Sequence, residues 1–263
     1  MTPLSLIWLI PVLPLLGAFL NGVIGYRFEE ESKRKVINFI ALASTFLSLL
    51  IALLNIYYLM TFPFDNPPSL SPSITIDKEH HALSYNLSSW INGGSFTTPS
   101  GREGIFNVSW LFVLDPLSSV MLFVVTFVGF LIHIYSVGYM AHDKGYFRYF
   151  SYLNLFMAMM LTLVLAGNYL MMFVGWEGVG LCSYLLIGFY YTKDYCADAG
   201  KKAFLTNRVG DMGFAAGLIL ILYYFGTLDI AKVNELAVSG EMNVPSYIVT
   251  AAALLLFVGA TGK

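Results

Sequence analysis

Seven stretches of this chain are so uniformly apolar that water cannot be their solvent. A helix needs about 20 apolar residues to cross a hydrocarbon layer of roughly 30 Å. Residues 5–25, 36–60, 113–139, 150–166, 168–191 and 203–225 meet that test, and a seventh apolar run, 246–262, leads into Lys263. The first run does not read as a cleaved signal peptide. No positive charge precedes it, Pro11 and Pro14 sit inside it, and a charge cluster follows it. The expected fold is an all-α polytopic membrane protein with about six full transmembrane helices and the first half of a seventh. Composition agrees: 11% of the residues are charged, against roughly 25% in ordinary soluble domains.

The remaining counts exclude other classes. A net charge of −2 leaves no basic footprint for nucleic acid. The two cysteines, Cys182 in an apolar run and Cys196 in a short polar loop, exclude a disulfide scaffold, an iron–sulfur cluster and a Cys-based zinc site. The chain divides into 1–60 (helices one and two), 61–112 (an extracytoplasmic loop), 113–225 (helices three to six) and 226–263 (an outer amphipathic segment, Asp229 to Val238, then the start of helix seven). In the loop, five prolines and the turn Asn92-Gly93-Gly94, flanked by aromatic segments at Trp90 and Phe96, predict a β-hairpin. Gly167-Asn168 predicts a tight antiparallel connection between the fourth and fifth spans. Asp115-Pro116 reads as a helix start.

Lysine and arginine concentrate on the cytoplasmic side of membrane proteins. One set of alternate loops holds Arg27, Lys33, Arg34, Lys35, Lys144, Arg148, Lys193, Lys201 and Lys202, whereas the other holds Lys78, Arg102 and Lys232. This bias places the N-terminus and the 61–112 loop outside.

The charges inside the spans carry the functional signal, because each costs about 2.5–3.5 kcal/mol on insertion scales. Glu177 lies near the middle of the fifth span, among Gly175, Gly178 and Gly180, which let a neighbouring helix approach closely. Its side chain is too short to reach either surface, so it is expected to face protein or water. Arg208 and Asp211 are three residues apart on the sixth span and able to pair with each other; they read either as a structural ion pair or as functional charges. Lys263, on its residues alone, is a lysine snorkelling from a helix end. A carboxylate facing a lysine that approaches and retreats is a switchable proton site. His133, the one histidine inside a span, reads as a hydrogen-bonded interior residue, and His80-His81 lacks the ligand cluster of a metal site. No phosphate loop, catalytic triad or dinucleotide fingerprint is visible, so neither a metal nor a cofactor is expected in this chain.

The run Gly175-Trp176-Glu177-Gly178-Val179-Gly180-Leu181-Cys182-Ser183-Tyr184, with Leu114-Asp115-Pro116-Leu117-Ser118, Lys202-Ala203-Phe204, Asn207-Arg208-Val209-Gly210-Asp211 and the closing Gly259-Ala260-Thr261-Gly262-Lys263, resembles the NuoL-type antiporter-like subunits of bacterial respiratory complex I. The resemblance covers essentially the whole chain. It implies a membrane-arm subunit of a proton-pumping NADH:quinone oxidoreductase in the bacterial cytoplasmic membrane, doing no redox catalysis itself. Glu177 would be the family's fifth-helix glutamate, Lys263 the pumping lysine on a broken seventh helix, and Asp211 and Arg208 charges that modulate them. Flavin, iron–sulfur clusters and quinone would belong to partner subunits. Family members continue for several hundred residues past this lysine. The resemblance therefore implies that this chain alone lacks a complete proton path and is a version truncated after the seventh-helix lysine, or a split one whose remainder is another polypeptide. Mrp-type sodium/proton antiporter subunits share the Trp-Glu and Asp-Pro-Leu-Ser elements and give the alternative reading. A non-pumping structural remnant is the third.

Overall fold

The computed structural model describes residues 2–99, 101, 103–239 and 244–263. Arg102, counted above among the loop charges, lies outside them. Helix α1 spans Leu9–Ile24, with short 3-10 turns at Pro3–Leu6 and Gly25–Phe28. It is followed by α2 (Arg34–Thr61), α3 (Pro116–Tyr139), α4 (Tyr146–Val164), α5 (Tyr169–Ile187), α6 (Asp194–Phe225), α7 (Ile230–Ser239) and α8 (Ser246–Gly262). Among the described residues, 6 helices are long and apolar enough to cross a membrane, and α8 is a shorter apolar helix. The all-α polytopic architecture is thus the one observed, with a small sheet on one end.

Helix starts follow the expected chemistry. Asp115 accepts from the Ser118 backbone at 2.6 Å, while Ser118 Oγ accepts from the Asp115 backbone at 2.8 Å, a reciprocal cap that fixes the start of α3. Asn168 Oδ1 accepts from Met171 N at 2.8 Å and starts α5 directly after α4 ends. The amphipathic segment after the sixth span is α7. One boundary is corrected. The sixth helix starts at Asp194 rather than near 203, because Asp194 suits a helix N-terminus and the polar stretch to Lys202 stays helical. Cys196 therefore sits in the first turn of α6, not in a loop.

The sheet has the order β1 (Ile74–Asp77), β2 (Ala82–Thr97), β3 (Glu103–Leu114), all antiparallel. A hairpin is present, but its turn is not at Asn92-Gly93-Gly94. Strand β2 runs through those residues, and the chain reverses between Thr97 and Glu103, where Gly101 N donates to Thr98 O at 2.9 Å. Gly94 has φ +83°, and the β2–β3 register shifts between Asn92 and Ser95. The glycine pair is a bulge within a strand, and Gly93 lies under the Phe106 ring, where a Cβ has no room.

Backbone hydrogen bonds fasten the sheet to one end of the bundle. Val113 N donates to Leu165 O, Gly167 N to Leu111 O, and Ile105 N to Gly226 O. The α4–α5 and α6–α7 connections thus share an end with the sheet. At the opposite end, the Arg34 guanidinium donates to Ala141 O and Asp143 O, and Glu29 Oε1 accepts from Gly145 N. The lysine- and arginine-rich loops gather there.

Three apolar clusters fill the interior. One joins the N-terminal turn, α2, the sheet and α4; a second joins β3, α6, α7 and α8; a third sits at the basic-loop end around Phe150 and Phe189. The outward face of α3 keeps Leu117, Val120, Phe127, Leu131 and Ile134 exposed, as a face meeting acyl chains requires. Between α2, α3 and α4 the interior is polar. His133, 1% exposed, contacts Gly129 O at 2.7 Å and Asn154 Oδ1 at 2.9 Å, and Asn154 Nδ2 donates to Ser44 Oγ at 2.8 Å. His133 is the hydrogen-bonded interior residue its position suggested.

Candidate functional site: buried charges where α5, α6 and α8 meet

Small residues bring these helices together. A Cβ built on Gly175 would meet the Leu163 backbone of α4 at 2.7 Å, and one on Gly210 would meet Gly262 Cα of α8 at 2.9 Å. Gly213 and Gly217 lie against Val258 and Leu255 of the same helix. The spacing 210, 213, 217 places a glycine on one face of α6 at each turn, and α8 lies in that groove. The glycines around Glu177 serve as expected: Gly175 and Gly178 face α4, whereas Gly180 faces the Lys263 side chain.

Close packing delivers four charges to one level. Glu177 is eight residues into α5, about 12 Å along at 1.5 Å per residue, with about 15 Å of helix beyond it. Asp211 is about 26 Å from the start of α6 and about 21 Å from its end. Lys263 follows α8 about 26 Å from Ser246.

Arg208 and Asp211 do not pair with each other, which corrects the expectation from their spacing. Arg208 Nη1 donates to Glu177 Oε1 at 2.8 Å, from α6 across to α5. Asp211 turns the other way. Its Oδ1 accepts from Trp176 Nε1 at 2.8 Å and lies 3.9 Å from Lys263 Nζ. Three-residue spacing puts two side chains on neighbouring parts of a helix surface, but each here finds a better-placed partner on another helix. The Lys263 ammonium also sits 5.7 Å from the Trp176 ring centroid, within cation–π range, and its side chain is only 17% exposed. It points into the bundle and does not snorkel, because Asp211 and the indole face supply the polar surroundings that an ammonium otherwise seeks in water.

Burial differs between the pairs. Asp211 is 4% exposed, whereas Glu177 and Arg208 retain 24% and 44% of their side-chain surface. The arrangement is formally neutral, with two acids and two bases, which offsets much of the insertion cost of each. It is also chemically asymmetric. Arginine does not release its proton, so it holds an anion in place; lysine does release one when desolvated.

Trp176 is the residue whose role sequence reasoning missed. It stood in the quoted motif, but its function there, donating to Asp211 while facing Lys263, depends on which helices adjoin. The available signal was the indole itself, since a buried Trp N–H requires an acceptor. Of the four residues singled out, the structure links all into one constellation: Glu177–Arg208 and Asp211–Lys263, with Trp176 between. Among the described residues, no group of three or more His, Cys, Asp or Glu forms a metal-holding cluster.

Comparison with known proteins identifies this constellation's setting. Residues 102–150 match the family described as NADH-ubiquinone oxidoreductase (complex I), chain 5 N-terminus, and residues 166–263 match the family described as NADH:quinone oxidoreductase/Mrp antiporter, transmembrane region. The chain is 36% identical over 265 residues to NADH-quinone oxidoreductase subunit L of Rickettsia bellii, covering 98% of this chain and 36% of that protein. It is 47% identical over 163 residues to subunit L of Rickettsia felis, covering 61% of this chain and 25% of that protein. NAD(P)H-quinone oxidoreductase chain 5 of Synechocystis is 36% identical over 265 residues, covering 98% of this chain and 34% of that one. The chain thus spans between a quarter and just over a third of the length of these curated relatives. Two solved structures share the fold. One is the membrane-bound sulfane sulfur reductase, an archaeal respiratory membrane complex (TM-score 0.67, 18% identity, 97% of this chain and 44% of that one). The other is the Mrp complex from Dietzia (TM-score 0.63, 19% identity, 97% and 23%).

The glycine-packed helices, their paired charges and these matches place the chain in the class of antiporter-like membrane subunits. Within that class, the chain belongs to the NuoL-type family, the subunit L or chain 5 group of NADH-quinone oxidoreductases.

Proposed function

We propose that the chain acts in proton translocation within the membrane arm of an NADH:quinone oxidoreductase, through Glu177, Arg208, Asp211 and Lys263. The observation that carries this reading is the pair of cross-helix contacts, Arg208–Glu177 at 2.8 Å and Lys263–Asp211 at 3.9 Å, within one constellation. In a low-dielectric site, moving a cation off a carboxylate raises the carboxylate's proton affinity, and returning the cation expels the proton. A small displacement of α8 against α6 would change which acid Lys263 neutralises. Redox chemistry elsewhere in the complex drives that displacement. This chain binds neither NADH nor quinone; flavin, iron–sulfur clusters and quinone belong to partner subunits.

The partners are the other membrane-arm subunits and the lipid bilayer. The setting is the bacterial cytoplasmic membrane, with the sheet end outside and the basic-loop end in the cytoplasm, following the lysine and arginine bias. Replacing Glu177 with Gln in the assembled complex tests the proton role. Assembly is expected to persist while translocation per electron falls; undiminished translocation with intact assembly refutes the role.

The fold shared with the Mrp complex supports a second reading, a sodium/proton antiporter subunit driven by ion gradients alone. Co-purification separates the two: flavin- and iron–sulfur-bearing partners accompany the first and not the second. A purely structural part for the charges makes a third outcome, in which Glu177→Gln and Asp211→Asn disturb assembly alone.

A further inference from the structure

The basic-loop end contains a site that proton transfer does not use. A cavity of about 610 Å3 opens between the α3–α4 connection, the start of α4 and the α5–α6 connection, with Lys144, Arg148, Tyr190 and Lys193 on its walls. A second cavity, of about 200 Å3, adjoins it, with Tyr152, Tyr184, Leu185 and Lys201 on its walls. Both are bounded by Arg148, Phe189 and Tyr191. Arg148 thus stands where a chamber bearing Lys144 and Lys193 meets one bearing Tyr152, Tyr184 and Leu185.

Its surroundings are unusual for an arginine at a helix start. The guanidinium lies 5.2 Å from the Phe189 ring centroid and 5.0 Å from that of Tyr191, held by two aromatic faces. Among the described residues no carboxylate comes within ion-pair distance of it, and Nε is a buried donor without a hydrogen-bond partner. Two acids also line the larger cavity, each held by another residue of its wall. Glu29 accepts from Gly145 N, and Asp143 interacts with Tyr190. A buried, orphaned guanidinium donor costs free energy unless an acceptor completes it, and planar donors of this kind match phosphate oxygens. Lys144, Lys193 and Lys201 surround the same spot with no fixed carboxylate of their own within the cavities; Lys201 reaches Asp198 on its own helix, at the surface.

We propose that Arg148 anchors the phosphate of an anionic amphiphile, a phospholipid headgroup seated in the larger cavity with its glycerol and upper acyl carbons against Tyr152, Tyr184 and Leu185. The two-chamber shape favours an amphiphile over a bare anion, because the smaller chamber adds the aromatic and aliphatic surface of Tyr152, Tyr184, Leu185 and Phe189 beside its donors. Basic pockets between transmembrane helices at the positively charged face are where anionic headgroups bind. The proposal is independent of the proton role, since it involves none of the four site charges.

The test uses the assembled complex in nanodiscs of phosphatidylcholine mixed with phosphatidylglycerol, released into native mass spectrometry. Arg148→Gln is expected to lower phosphatidylglycerol retention roughly tenfold, the size of losing hydrogen bonds to a charged group. Lys193→Gln is expected to lower it less, and Arg27→Gln, which removes an exposed charge from the same end outside the cavities, is expected to leave it unchanged. A parallel arm offers inorganic phosphate without anionic lipid. Phosphate binding that is lost in Arg148→Gln, with no phosphatidylglycerol retained, supports the anion site and assigns it to the free ion. Retention that is the same in Arg148→Gln and Arg27→Gln, or absent throughout, overturns the proposal. Should Arg148→Gln fail to assemble, Lys193→Gln and Arg148→Lys carry the same comparison, with Arg148→Lys keeping charge but losing the planar fork.

Discussion

Arg208 reaches past Asp211, its neighbour one helical turn away, and donates to Glu177 on the adjacent helix at 2.8 Å. Asp211 is left to Trp176 and Lys263. Two interleaved contacts, rather than one intrahelical pair, therefore tie α5, α6 and α8 together, with α6 common to both.

Trp176→Phe isolates one of those contacts. The substitution keeps an aromatic face for Lys263 but removes the Nε1–H donor to Asp211, a carboxylate that is 4% exposed. A hydrogen bond to a buried charge contributes about 1.5–3 kcal/mol. Thermal unfolding in detergent is expected to show destabilisation of that order, and Asp211→Asn in the same background is expected to recover part of it. Equal stability of Trp176→Phe and the parent would show that the indole does not hold Asp211.

The packing of α8 on α6 depends on Gly210. A Cβ there meets backbone rather than a flexible side chain, at 2.9 Å from Gly262 Cα, so the helices themselves must separate. Gly210→Ala is expected to destabilise by about 1–3 kcal/mol, as overpacking does. It should also weaken a disulfide crosslink engineered between the facing ends of α6 and α8. Ala introduced at Gly138, which has nothing within 4 Å of its Cβ position, is the control and should be neutral or nearly so.

The turn between β1 and β2 carries a pH dependence of its own. His80 Nδ1 lies 2.9 Å from Asp77 Oδ2, and that hydrogen bond and the aspartate's charge raise the His80 pKa above its usual 6.5. Slight burial pushes Asp77 up, but the hydrogen bonds and charge of His80 outweigh it and hold the carboxyl below its usual 3.8. The histidine's contribution is complete below about pH 6.5 and is lost as pH rises through its raised value. The aspartate's is present above about pH 4 and is lost as pH falls through its lowered value. The turn is therefore firmest between those limits. Amide exchange at 77–81, corrected for the intrinsic rate, is expected to be more protected at pH 5 than at pH 8, and His80→Gln should flatten the difference. Since His80 is largely exposed and Asp77 partly so, the effect on overall stability is small.

Much of this architecture was legible from local chemistry. Six apolar runs became six long helices, and Asp115 and Asn168 cap where their side chains and positions in sequence suggested. The misreadings share one cause, that partners on other elements decide between local options. Asn92-Gly93-Gly94 has the composition of a turn, yet β3 pairs across it and the Phe106 ring lies over Gly93, so it is absorbed as a bulge. Arg208 and Asp211 have the spacing of a pair, yet α5 and α8 offer each a closer match. The burial of Asn154 between His133 and Ser44 likewise could not be read from an apolar helix containing one asparagine. Lys263 is the clearest case: its residue type and position favoured water, and the fold turned it inward.

Proton exchange at the Glu177 carboxylate, as Lys263 moves between Asp211 and Glu177, is the step on which the proposed function rests. Infrared difference spectroscopy of the assembled complex, between resting and turnover states, reads that event directly through the carboxyl C=O stretch. Such exchange requires a protonated-carboxyl band that appears during turnover, is absent in Glu177→Gln and persists in Trp176→Phe. A turnover spectrum with no carboxyl band, or with one unchanged in Glu177→Gln, would contradict it.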